Sequence, residues 1–552
     1  MLDRSALQST YIIMSKRSSD ILFQLIHSLE KAEKRHFKLY IKRSSSNENL
    51  KIVQLFDAID KMNDYDEKAL LKKLPSIQKV QLSNLKAHLY KQILSSLRLL
   101  KSADSIDLQL NEQFDYAHIL YKKGLFLQSL RILEKAKETA KSNQKISFLN
   151  QIISLEKRIE SLHITRSIQN RAENLSEEAV QVSEQINMVA RLSNLALQLY
   201  SWYIRHGHAR TEEDLTSIRQ FITTSLPLNA WEQDGFYERL YLYQSYSWYA
   251  YIRQDFIQYY RYTQKWVDLF EEHPLMKRVE TGHYIKALHN LLNAHYDLGN
   301  HSKLKQTLQQ LEDFSTTERV IQNENFRVHT FLYISQGLIN EHFLRGAFKE
   351  GLAIVPAIES KLEEYSMFID PHRVMVFNYK IASLYFGNND FDKCIDYLQK
   401  IINENVGLRY DVQCYARLMH LLTHYELGNF ELIEYLSKSV YRYMARMENL
   451  SPLEIEILKF LRRSSHISQF NLKAELEKFL KKIKGYEKNH LQTRVFVYLD
   501  IIAWVKSKVY HVTISEIIKE KFASRLAIEP VSKPVPELKS LPGKKKNKIA
   551  SL

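Results

Sequence analysis

Between Ile381 and Ile402 the chain reads Ile-Ala-Ser-Leu-Tyr-Phe-Gly-Asn-Asn-Asp-Phe-Asp-Lys-Cys-Ile-Asp-Tyr-Leu-Gln-Lys-Ile-Ile. Upstream of Gly387, the residues Ile381, Leu384 and Tyr385 recur at helical spacing. Downstream, Phe391, Cys394, Ile395, Leu398 and Ile402 do the same. Gly387, Asn388 and Asn389 tolerate the left-handed backbone that ends a helix. Asp390 can accept from the free N–H groups of the next helix and restart it. The stretch is therefore a hairpin of two amphipathic helices. Neither helix buries both of its apolar sides alone, so each must be sandwiched between neighbours.

The same grammar recurs along the chain. Tyr-Asp-Leu-Gly-Asn at 296–300 is nearly repeated as Tyr-Glu-Leu-Gly-Asn at 425–429. Gly124 precedes a helix running through Ser129, Leu133 and Ala136, and Gly346 precedes Phe348 and Leu352. Taking Gln254, Gly299, Gly346, Asn389 and Gly428 as equivalent turns, the spacings are 45, 47, 43 and 39 residues. Stacked helical hairpins are the expected architecture.

The order small residue, aromatic, turn, aromatic, small residue is carried by Ala382, Tyr385, Asn389, Phe391 and Cys394, with Leu398 following. It resembles the tetratricopeptide repeat family. Cys394 stands where the family often has alanine, and Ser129 does so in an earlier unit. The likeness is strongest over 370–402, fair over 111–140 and 285–312, and weak over 145–235. The units run longer than the usual repeat of about 34 residues. The resemblance implies an all-α fold, a right-handed superhelical α-solenoid, whose role is to hold partners.

Composition agrees with helices. Thirteen glycines and ten prolines are few for 552 residues, and four of the prolines lie after Ile528. That leaves little turn material for an all-β or α/β fold. Cys394 and Cys414 are the only cysteines, too few for a secreted disulfide framework, and a reducing, cytoplasmic location is expected. No apolar run approaches the ~20 residues of a membrane helix, so no membrane insertion is expected. The net charge of +15 sits at the ends: residues 1–101 carry 19 Lys and Arg against 10 Asp and Glu, and residues 528–552 carry 6 against 2.

Four regions follow. Residues 1–14 read as a disordered leader. Residues 15–101 read as a small basic helical module, residues 105–526 as the solenoid with capping helices, and residues 527–552 as a disordered Pro- and Lys-rich tail. Within the module, one helix is expected over 18–43. A short helix, a turn at Pro75-Ser76 and a longer helix to Lys101 could form a nucleic-acid-reading helix-turn-helix. Lys34, Arg35, Lys38, Lys42, Lys79 and Lys86 are its candidate contacts.

Residues 236–266 are the most aromatic stretch. Tyr237, Tyr241, Trp248 and Ile252 share a face and are expected in the core. Tyr243, Tyr246 and Tyr251 fall partly off it and, with Arg253, are candidates for a partner-binding floor. In some relatives of the repeat family, lysines and asparagines on consecutive first helices grip a terminal carboxylate. Lys286, Asn290 and Asn293 supply part of such a set, but Gln244, Trp248, Tyr333 and Gln336 on the flanking units break it. These three stay candidates for partner contact without the full clamp.

No catalytic motif stands out. His206-Gly207-His208 belongs to a turn, and His420 and His424 lack the glutamate of a zinc-protease helix. No phosphate-cradling glycine loop or nucleophile elbow is present. The expectation is a non-enzymatic scaffold without metal or cofactor, binding a protein or peptide partner. The alternative is a regulator whose basic module binds nucleic acid while the hairpins sense a partner.

Overall fold

The computed structural model describes residues 21–43, 47–102, 105–163, 170–404, 407, 409–447, 450–464, 467, 469–487, 496 and 499–528. Among these residues every regular element is a helix. The leader 1–14 and the tail beyond Ile528 lie outside them. The chain forms two units, one of Met1–Asn194, Leu226–Leu242 and Leu269–Glu280, the other of Leu195–Ser225, Tyr243–Asp268 and Thr281–Leu552.

In the first unit, helices Ile21–Ser28, Lys31–Lys42, Asn47–Asp60, Glu67–Lys73 and Lys79–Lys101 surround a core of Ile26, Phe37, Leu55, Phe56, Ile59, Leu89 and Ile93. The single helix expected over 18–43 is in fact two. The break falls at Leu29 and Glu30, where the Glu30 N–H donates to Glu33 Oε2 at 2.9 Å and starts a new helix. Further on, Ile106–Lys122 and Phe126–Ser142 form a hairpin that Ile146–Leu162 continues. Ser129 is fully buried, and its hydroxyl donates to Ala117 O at 2.7 Å, so a small residue does close this pair.

The second unit shows serial packing. Thr281–Asp297 pairs with His301–Ser315, Pro371–Gly387 with Phe391–Asn403, and Tyr410–Glu426 with Phe430–Arg446. Glu324–Arg345 pairs with Phe348–Ala353, which the single residue Ile354 separates from Val355–Glu364, with Pro356 in the first turn of the latter. The first helices of consecutive pairs also touch one another: 281–297 on 324–345, that on 371–387, and that on 410–426. Ala382 and Cys394 are completely buried, and Asp390 caps its helix by accepting from the Lys393 N–H at 3.4 Å. No described helix is long and apolar enough to cross a membrane. Cys394 and Cys414 are both buried, and no disulfide joins them.

All five turn positions read as equivalent have left-handed backbone, with φ of 58° at Gln254, 68° at Gly299, 63° at Gly346, 59° at Asn389 and 74° at Gly428. Three of the five are glycine, which adopts this conformation freely, and Gln254 and Asn389 adopt it with a side chain present.

The last two described helices behave differently from each other. Ile501–Tyr510 is embedded: Ile501, Trp504 and Val505 are fully buried, and Trp504 Nε1 donates to Glu426 Oε1 at 2.6 Å. Ile514–Ile528 instead returns to Glu324–Arg345, far back in the chain.

Candidate binding cavity

A cavity of about 930 Å³ lies in the second unit. Three consecutive first helices line it, each with a stripe at helical spacing. Thr281–Asp297 contributes Lys286, His289, Asn290, Asn293, Tyr296 and Asp297. Glu324–Arg345 contributes Tyr333, Gln336, Asn340 and Phe343, and Pro371–Gly387 contributes Arg373, Val376, Tyr379, Lys380 and Ser383.

At one end cations and rings are interleaved. The Lys286 ammonium lies 4.9 Å from the centre of the Tyr200 ring and 6.0 Å from that of Trp248. No carboxylate among the described residues forms an ion pair with it. Burial, and then the Arg373 charge, hold its pKa below the ordinary lysine value. Arg373 sits 5.8 Å from the Tyr333 ring centre and pairs with Asp370 at 3.0 Å. His289 stacks on Tyr333 with ring centres 3.8 Å apart. Burial, aided by Arg373 and Lys286, pushes His289 down to about 3, so it is neutral at physiological pH.

At the other end lie an amine and an acid. Lys380 Nζ donates to Asn340 Oδ1 at 2.6 Å and faces the rings of Phe343 and Tyr296. Burial brings it down to about 8, against the pull of Asp297. Asp297 is pushed up to about 8 by the same burial, and its Oδ2 is buried without a hydrogen-bond partner.

Of the seven residues expected to meet a partner, the cavity gathers Tyr251, Lys286, Asn290 and Asn293. Asn290 is occupied structurally: its Nδ2 donates to Lys286 O at 2.7 Å, and its Oδ1 accepts from the Tyr259 hydroxyl at 3.1 Å. Tyr243, Tyr246 and Arg253 are not among its lining. Tyr246 stacks on Tyr262 at 4.8 Å, Lys265 lies over Tyr243 at 5.9 Å, and Arg253 lies over Tyr249 at 4.9 Å. Those tyrosines pack on the following helix, Phe256–Glu272. Trp248, expected in the core, is buried and also lines the cavity. Arg373, Lys380, Asp297 and Tyr200 escaped sequence reading. The available signal was polar residues recurring at helical period on first helices, 286–289–293–297 and 373–380–383.

The module's cations divide evenly. Lys34 pairs with Asp60 at 2.6 Å and Lys38 with Asp57 at 2.7 Å, while Lys86 donates to the Tyr65 hydroxyl at 2.8 Å. Arg35, Lys42 and Lys79 are exposed. His208 Nδ1 is 2.7 Å from Tyr251 O, and His206 Nδ1 is 3.0 Å from Trp202 O, both turn contacts.

Comparison with known proteins finds no matching family model and no matching curated sequence.

Proposed function

We propose that the protein is a non-enzymatic cytoplasmic scaffold of tetratricopeptide-like hairpins, stacked as a right-handed solenoid, that receives a protein or peptide partner in the cavity of its second unit. The serial packing of paired helices supports the solenoid reading. The observation that carries the binding site is Lys286, a half-buried cation facing two aromatic rings with no acid among the described residues paired to it. A partly buried, unpaired charge is costly, and a partner that brings an acceptor there relieves the cost on binding. The tyrosines and tryptophan around it offer wide contact area at low entropic cost.

Affinity capture from the cognate cell extract, with nuclease present, tests this. The same partner should be retained by the unaltered chain and lost by Lys286→Met and Arg373→Met. Retention indifferent to both substitutions rules the cavity out. The rival reading, nucleic-acid binding by the basic module, is supported by the exposed Arg35, Lys42 and Lys79 and weakened by the ion pairs on Lys34 and Lys38. It predicts binding that falls steeply with salt.

A further inference from the structure

The helix Ile514–Ile528 departs from the order of the rest of the second unit. Ile514, Ile518, Lys521, Phe522 and Arg525 all reach the cavity lining. Their spacing puts them on one face of the helix. Ser515 Oγ donates to Gly346 O at 2.7 Å, across 169 residues of sequence. Phe522 lies edge-on to His301, with ring centres 5.0 Å apart. The helix rests on two left-handed turns: a Cβ added at Gly346 would come within 2.8 Å of Ser515 O, and one added at Gly299 would run into the Arg525 guanidinium.

The helix is lightly held. Lys519, Glu520, Lys521, Ala523, Ser524, Arg525 and Leu526 are exposed, whereas the helix before it is embedded. His511, with φ of 56°, makes a sharp joint between the two. The helix carries its own cap: the Thr513 N–H donates to Glu516 Oε2 at 2.7 Å, and the Glu516 N–H donates to Thr513 Oγ1 at 3.2 Å. The carboxylate beneath it favours a cationic side chain: Asp500, which also lines the cavity, pairs with Lys521 at 3.2 Å.

We propose that Ile514–Ile528 is a built-in occupant of the cavity, and that a partner docks by presenting a basic amphipathic helix of the same pattern in its place. The pattern is apolar at the first, fifth and ninth positions and basic at the eighth and twelfth, as in Ile514, Ile518, Phe522, Lys521 and Arg525. The inference rests on the reading that this cavity is the partner site, and it adds the kind of partner and the way access is controlled.

The test uses the full chain and a fluorescein-labelled peptide of residues 511–528, read by anisotropy. Ile518→Ala with Phe522→Ala weakens the internal helix without touching the opposing wall. The doubly substituted chain should bind the peptide at least about tenfold more tightly than the unaltered chain, because the internal competitor has lost two large apolar contacts. The same peptide with its own Ile514→Ala, Ile518→Ala and Phe522→Ala changes should not bind. Equal binding by both chains, or none by either, overturns the proposal. Should the double variant fail to fold, hydrogen exchange on the unaltered chain decides. Amides of 514–528 should exchange at least about tenfold faster than those of Ile501–Tyr510, and equal rates overturn the proposal. Extract capture that depends on Lys286 together with no peptide binding sinks the docking mode alone. Peptide binding together with capture indifferent to Lys286 sinks the Lys286 reading alone.

Discussion

Asp297 and Lys380 show what enclosure does to ordinary side chains. An unfolded aspartate titrates near about 3.9, whereas Asp297 in the fold holds its proton up to about 8. Between those values the unfolded chain has released a proton that the native state keeps. The contribution of Asp297 to native stability therefore declines as pH rises from about 4 to about 8. Asp297→Asn should remove this decline. Urea midpoints of the two proteins should diverge in favour of the variant across that window and run parallel above it. A gap that does not change with pH would contradict the burial argument. Lys286 gives a second expectation. Its charge is half-buried with no acid among the described residues paired to it, so Lys286→Met should lower stability by no more than about 1 kcal/mol, the loss of its contacts with the rings. A larger fall in Tm would mean that the cation is holding the fold together.

Within single elements, the turns were the most legible feature of the sequence. Gln254, Gly299, Gly346, Asn389 and Gly428 all read as helix stops, and all five have positive φ. A left-handed turn is a demand on one residue's backbone, so it leaves its mark locally. Gly428 isolates that demand, since the nearest atom to an added Cβ is 4.0 Å away. Gly428→Ala should cost about 1–2 kcal/mol through the backbone alone. Ala382 isolates packing instead. It is completely buried, and Ala382→Leu should cost about 1–3 kcal/mol. Chemical denaturation measures both, and an unchanged midpoint for either would contradict its mechanism. The break at Leu29 and Glu30 was missed because the apolar spacing runs on across it. The Glu30–Glu33 cap that starts the new helix is local, while His27 Nε2 at 3.2 Å from Ile59 O and the buried Leu29 tie the break to the module core.

Across the second unit, burial leaves a collective signature in its histidines. His289 is pushed down to about 3, and His295, His329 and His420 to about 4, each first by loss of water. The unfolded chain takes up these protons near about pH 6.5, which the native state resists. The contribution of these histidines should therefore fall as pH drops from about 6.5 toward 4, opposite in sign to that of Asp297, and His289→Gln should lessen the fall relative to the unaltered chain. A denaturation midpoint flat across that range would argue that these imidazoles are hydrated. Four of the seven expected partner residues line the cavity, whereas Tyr243, Tyr246 and Arg253 are not among its lining.

Helix, turn and pairing could be read from residues close together in the chain, because apolar periodicity, left-handed stops and caps are satisfied within a few residues. Which faces meet could not. A first helix packed on both sides carries its polar stripe at the same period as its apolar ones, so Lys286, Arg373 and Lys380 acquire a common cavity only when three such helices lie side by side. The same holds for Ile514–Ile528, whose weak pattern gives no hint that it lies against Gly346. That contact depends on where two distant turns stand in space, and no local rule of the chain encodes it.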